Sequence, residues 1–170
     1  MQQKSSLDAS FNFNELGLVP VGEVRIYKKF LDGSEELVLE EKNLIVNTGK
    51  QMLLGQIYYT TGSGNPLSYA KVGVGGAIDL AGLFLKTPTS DLTDLYYPIN
   101  TIPIIQTASD PTVPSITLLA VVDNSIGNGS TINEAGFFAV DNSMFNIKTF
   151  PGVYKTSAFS LNLQWVIKIN

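Results

Sequence analysis

Any chemistry in this chain must come from carboxylates, lysines, hydroxyls or tyrosines, because it contains no histidine and no cysteine. Histidine is the usual general base and metal ligand near neutral pH. Without either residue, Ser-His-Asp, Cys-His and zinc arrangements are excluded. Two carboxylates suffice for glycoside hydrolysis. Outside the N-terminal hairpin the candidates are Asp79, Asp91, Asp94, Asp110, Asp123, Glu134 and Asp141. Most sit in turn-like sequence, where Asp bonds its own backbone, and no feature of the sequence pairs two of them. Glu134 differs because it lies inside a strand-like run beside Ala135, Gly136 and Phe137. Three roles fit it: a solvent-facing strand residue, a structural ion pair with a Lys or Arg25, or a catalytic acid. A charge near a packed aromatic strand usually needs a partner.

The remaining motifs are weak as sites. VGVGG (72–76) is glycine-rich, but a dinucleotide loop requires G-x-G-x-x-G opening into a helix. A bulged or tightly packed strand end fits the run better. DNSIGNGS (123–130) has Gly127 where an EF-hand loop needs a side-chain oxygen. Asn128-Gly129-Ser130 is a formal glycosylation sequon. Tyr58-Tyr59 and Tyr96-Tyr97 suit either sugar stacking or subunit contact. The sequence therefore predicts no catalytic residue, no cofactor and no metal, and a protein that is not an enzyme.

The elements that position these residues are mostly strands. Residues 21–41 read as a hairpin about Leu31-Asp32-Gly33-Ser34, with Val24, Ile26 and Phe30 on one face. KNLIVNTGK (42–50) is a short strand ending at Asn47-Thr48, which can cap a helix over 51–59. Met52, Leu53, Gln56 and Ile57 approximate its apolar face, and Gly55 weakens it. Strands follow at 68–76, 102–107, 115–122 and 132–140, with a long irregular stretch at 77–100 and at most one more short strand in 141–152. The last strand is the most regular: Phe159, Leu161, Leu163, Trp165, Ile167 and Ile169 alternate with mainly polar residues. Short strands punctuated by Gly, Pro and Asn predict an all-β fold, a β-sandwich or jelly roll over 21–170 with one short helix. Residues 1–20 read as an extended arm whose Phe11, Phe13, Leu16 and Leu18 require a docking surface.

Charge bears on partners. Only 15% of residues are charged, against about 25% in ordinary soluble proteins. Residues 1–50 carry 14 charges (6 basic, 8 acidic) and the remaining 120 carry 12 (5 basic, 7 acidic). So thin a charge distribution after residue 50 predicts a surface covered by other subunits. The net charge of −4, with a single arginine, argues against nucleic acid. The longest apolar run, LLAVV (118–122), is too short to cross a membrane as a helix, and the N-terminus lacks the apolar core of a signal peptide. LAGLFL (80–85) and LYYPI (95–99) are apolar although they read as loops. Leu83, Phe84, Leu85, Tyr96 and Tyr97 are accordingly the expected subunit interface.

The order of these fragments is informative. A strand hairpin, KNLIVNTGK, a short helix containing LLG, YAKVGVGG, NEAGFFAV and a final KTSAFSLNLQWVIKI together resemble a broad group of tailed-phage virion proteins. The resemblance covers about residues 21–170, with no family signature between Gly76 and Ile102. It implies a β-sandwich or jelly-roll subunit, often trimeric, found as capsid decoration (cement) proteins and as tail or fibre components. The expected function is thus a homotrimeric cement protein bound to the major capsid protein, localised in the virion. A tail, neck, baseplate or fibre component is the first alternative, and a carbohydrate-binding adhesin the second.

Overall fold

Alternating apolar side chains need an enclosed surface to face, and eight strands here supply one by closing on themselves. A computed structural model describes residues 20–58, 65–79, 84–110 and 115–169. The strands are β1 (Pro20–Phe30), β2 (Glu35–Ile45), β3 (Leu67–Gly73), β4 (Pro98–Asp110), β5 (Ser115–Val122), β6 (Thr131–Ala139), β7 (Met144–Tyr154) and β8 (Phe159–Ile169), with one helix, α1 (Asn47–Tyr58). They form a closed antiparallel barrel in the order β1-β2-β7-β6-β3-β4-β5-β8. The all-β expectation with one short helix is met. Phe11, Phe13, Leu16, Leu18 and Leu83 lie outside the described residues, and Pro20 already belongs to β1.

The β1–β2 hairpin forms where Asp32-Gly33 predicts it. Gly33 takes a φ of 87°, and Asp32 Oδ1 accepts hydrogen bonds from the Ser34 amide (2.9 Å) and hydroxyl (2.6 Å). Arg25 and Glu40, Lys28 and Glu36, and Lys29 and Glu35 are register partners and form ion pairs between the two strands. β8 runs down the middle of one wall between β1 and β5, with Trp165 opposite Val24 on one side and Leu118 on the other. All three are buried, as are Leu163 and Ile167. Trp165 packs edge-on against Phe137 across the barrel at 4.8 Å. Its alternation in sequence is therefore the alternation of barrel interior and exterior.

Two strands change partner along their length. β4 pairs with β3 through residues 98–103 and with β5 through residues 104–110. β2 pairs with β1 along 35–43, and only Leu44 and Ile45 reach β7, opposite Ile147 and Asn146. The helix begins at that junction. Thr48 does not cap it: its hydroxyl donates to the Met144 carbonyl at 2.6 Å and fixes α1 to β7.

The segment 141–152 holds more structure than its sequence predicts, since β7 runs for 11 residues. The outer face of β3, β6 and β7 is also covered, because Leu92, Leu95 and Tyr96 lie over Phe138, Met144 and Ile147 in a second apolar cluster. With both faces buried, β7 loses the polar–apolar alternation of a one-sided strand.

A carboxylate clamp and the loop it holds

The loop between β3 and β4 is closed at its base by one side chain. Glu134, in the middle of β6, is fully buried. Its Oε1 accepts hydrogen bonds from the backbone amides of Gly75 (2.9 Å) and Tyr97 (2.7 Å), and its Oε2 accepts one from Tyr96 (2.9 Å). Neither solvent exposure nor an ion pair with lysine or Arg25 describes Glu134. Its partners are three amides from the two ends of the loop. A buried carboxylate satisfied by backbone N–H groups is an inexpensive way to hold charge inside a protein, because amide dipoles replace water.

The neighbouring residue completes the clamp. Asn133 Oδ1 accepts the Gly76 amide at 2.7 Å, and the Val74 amide donates to the Tyr97 carbonyl at 3.0 Å. The backbone approaches too closely for side chains: a Cβ on Gly75 would lie 2.6 Å from the Tyr97 nitrogen and 2.9 Å from Glu134 Oε1. The glycines of VGVGG thus serve close packing, and the ladder shifts register between Val72 and Gly73 as a bulge does.

Above this base the loop folds back on itself. Ala77 bridges Leu85, the Ile78 amide donates to the Phe84 carbonyl (2.7 Å), and the Lys86 amide donates to the Gly76 carbonyl (2.8 Å). Lys86 lies over the Tyr96 ring at 4.4 Å, and Thr149 Oγ1 donates to the Lys86 carbonyl at 2.8 Å. Lys71 grips both oxygens of Asp94 (2.9 and 2.8 Å) and sits 4.3 Å from the Phe138 ring centre. The Tyr96 hydroxyl is held above its usual pKa, first by burial and then by the charges of Glu134 and Asp91.

The expected interface residues separate into two kinds. Phe84 and Tyr97 are exposed (68% and 63%), together with Ile78 (70%), which was not expected. Leu85 and Tyr96 are half-buried, Leu85 at the bridge to Ala77 and Tyr96 against the apolar cluster on the outer face of β6 and β7. Tyr96 and Tyr97 consequently face different environments, and of these two Tyr97 offers an open ring, while the side chains of Tyr58-Tyr59 lie outside the described residues. The turn-like aspartates behave as their sequence implies: Asp123 Oδ1 accepts the Ser125 amide and hydroxyl at 2.8 Å each, and Asp141 Oδ1 accepts the Ser143 amide. Those bonds hold both carboxyls below the ordinary range, with Asn65 the first contributor at Asp141. No group of three or more metal-ligating side chains occurs among the described residues. No described helix is long and apolar enough to cross a membrane.

Sequence reasoning missed Lys155. It is fully buried, and its Nζ donates to the Thr156 carbonyl (2.8 Å) and Asn128 Oδ1 (3.2 Å) beside the Phe159 ring. Its neighbours in sequence, Tyr154 and Thr156, give no sign of burial. Compared with family models, with characterised proteins and with solved structures, the chain matches none.

Proposed function

We propose that this chain is a structural subunit of a tailed-phage particle, most concretely a capsid decoration protein that assembles as a homotrimer on the head shell. The observation that carries the reading is the clamped loop. Phe84, Tyr97 and Ile78 stand out into solvent from a segment fixed by Glu134, Asn133 and the Lys71–Asp94 pair. Rigid exposed apolar side chains bind with little loss of conformational entropy, which is what a permanent subunit contact requires. Low charge beyond residue 50 points the same way.

We read the barrel as flattened, a sandwich of one wall β2-β1-β8-β5-β4 and another β2-β7-β6-β3-β4. β2 and β4 turn its corners, and their change of partner supports this. The arm, residues 1–19, is assigned to anchorage on the shell or a neighbouring subunit.

A second location, in the tail, neck, baseplate or fibre, uses the same surface. A carbohydrate-binding adhesin rests on Tyr97, whose open ring would stack on a sugar. Multi-angle light scattering of the purified chain is the test. A trimer that becomes monomeric on Phe84→Asp, with the fold intact, supports the subunit reading. A monomer at micromolar concentration that binds glycans through Tyr97 supports the adhesin instead. Cryo-electron microscopy of a particle then assigns head or tail.

A further inference from the structure

The 123–131 turn holds the one described asparagine that is followed by glycine, Asn128-Gly129, and it leans on the buried lysine. Asn128 and Gly129 are exposed at the surface of the turn. The Asn128 carboxamide is held at both ends: Nδ2 donates to the Asn124 carbonyl at 2.9 Å, and Oδ1 accepts Lys155 Nζ at 3.2 Å. Gly129 has a φ of 84°, and no atom lies within 4 Å of where its Cβ would be. Lys155 has hydrogen bonds to a carbonyl and a carboxamide, but no carboxylate lies within ion-pair distance of its Nζ among the described residues.

We infer that Asn128 is a self-modification site, where the carboxamide is hydrolysed to a carboxylate that becomes the counter-charge of Lys155. The Gly129 nitrogen forms a bond to Asn128 Cγ and loses its proton to solvent. Negative charge gathers on Oδ1, where the Lys155 ammonium already donates, as an oxyanion-stabilising group must. The Cγ–Nδ2 bond then breaks, the nitrogen takes a proton, and ammonia leaves. Water opens the resulting ring at either carbonyl, giving aspartate or isoaspartate. The net change is carboxamide plus water to carboxylate plus ammonium, with no oxidant or cofactor.

Two features make the reaction slow and directional. The Gly129 amide donates to the Lys155 carbonyl at 2.9 Å, so attack waits for that bond to open. Burial holds the Lys155 ammonium below its ordinary pKa, with Asp123 opposing that effect. A new carboxylate at position 128 relieves a buried cation. Glycine at 129 matters because any side chain there would crowd the attacking nitrogen.

The test is incubation of the full chain for days in mildly alkaline buffer, followed by peptide mapping. Asn124 and Asn142, each followed by serine, serve as internal comparisons. The acid is expected at Asn128 first. Gly129→Ala and Lys155→Met should each slow its appearance by about tenfold or more. Asn128→Asp, which installs the product directly, should raise the thermal midpoint. The inference is overturned if Asn128 stays an amide while Asn124 or Asn142 converts. Faster conversion in Lys155→Met, or a lower midpoint in Asn128→Asp, overturns it as well. Loss of ammonia in a branched peptide that joins position 128 to Lys155, as opposed to the transient ring within the Asn128-Gly129 peptide, would assign the site to a lysine–asparagine cross-link and overturn the hydrolytic route. Where Lys155→Met fails to fold, Gly129→Ala and Asn128→Asp decide the matter alone.

Discussion

Glu134 Oε1 accepts the Tyr97 amide at 2.7 Å across 37 residues of chain, and the same oxygen accepts Gly75 from the loop's other end. One atom therefore closes both mouths of the loop. Glu134→Ala would leave three amides without their acceptor, each worth about 1–3 kcal/mol when buried and unsatisfied. We expect a loss of roughly 3 kcal/mol or more. Glu134→Gln keeps Oε1 but turns an amino group toward the Tyr96 amide, so the loss should be smaller, about 1–3 kcal/mol. Chemical denaturation measures both. Equal stability of all three proteins would remove the clamp.

Gly75 supplies a complementary test of the same base. Gly75→Ala places a methyl group 2.6 Å from the Tyr97 nitrogen, where backbone must move. Overpacking of this kind costs about 1–3 kcal/mol. Because the strain falls on the loop, amide exchange at residues 75–78 and 95–97 should quicken more than in β8. Uniform exchange across the barrel would contradict a local clamp.

Trp165 sits at the centre of the Val24–Trp165–Leu118 row and is fully buried. Trp165→Ala should cost about 3–5 kcal/mol, the range for removing a large buried aromatic. Its fluorescence in the folded parent should resist aqueous quenchers. Easy quenching would mean that the faces of β8 are reversed.

Lys155 gives stability a pH dependence of definite sign. Burial lowers its folded pKa below the ordinary 10.5, with Asp123 acting in opposition. The unfolded chain then binds this proton more tightly than the folded one. Below the folded pKa both states are protonated, and the cost of burying the charge is carried in full. As pH rises from the folded value toward 10.5, that cost is lifted and the parent gains on Lys155→Met. Denaturation midpoints of the two proteins across this window check it. A signed difference, parent minus Lys155→Met, that falls or stays constant as pH rises through this window would be inconsistent with a desolvated lysine.

What was legible in the sequence follows from which faces are wet. β8 and the β1–β2 hairpin each have one face inward and one outward, so period-two alternation and Asp32-Gly33 identify them. β7 was unreadable as a long strand because the loop at 84–97 covers its outer side. Buried Asn146 and Thr149, and Pro151 near its end, also break the pattern. Glu134 could be recognised as needing a partner, but its donors are backbone amides 37–59 residues away, and amides carry no residue signature. The apolar composition of 80–99 drew attention to the segment in which Phe84 and Tyr97 are exposed. It could not separate these from Tyr96, which faces inward under Lys86.

The junction of β2 and β7 sets how this wall can fail. β1 and β8 are joined by eleven residue pairs, whereas β2 and β7 are joined by two, Leu44–Ile147 and Ile45–Asn146. Lys148 reinforces the outer side by reaching Glu41 and the Lys42 carbonyl. Every other seam holds at least five residue pairs, so the cheapest excursion from the native state is an unzipping here, with the remaining ladders intact. Such an opening turns a ring into an open sheet with two raw edges, the form that recruits further chains. Aggregation of this protein should therefore track a local breach at residues 44–45 and 146–147, well below the free energy of complete unfolding.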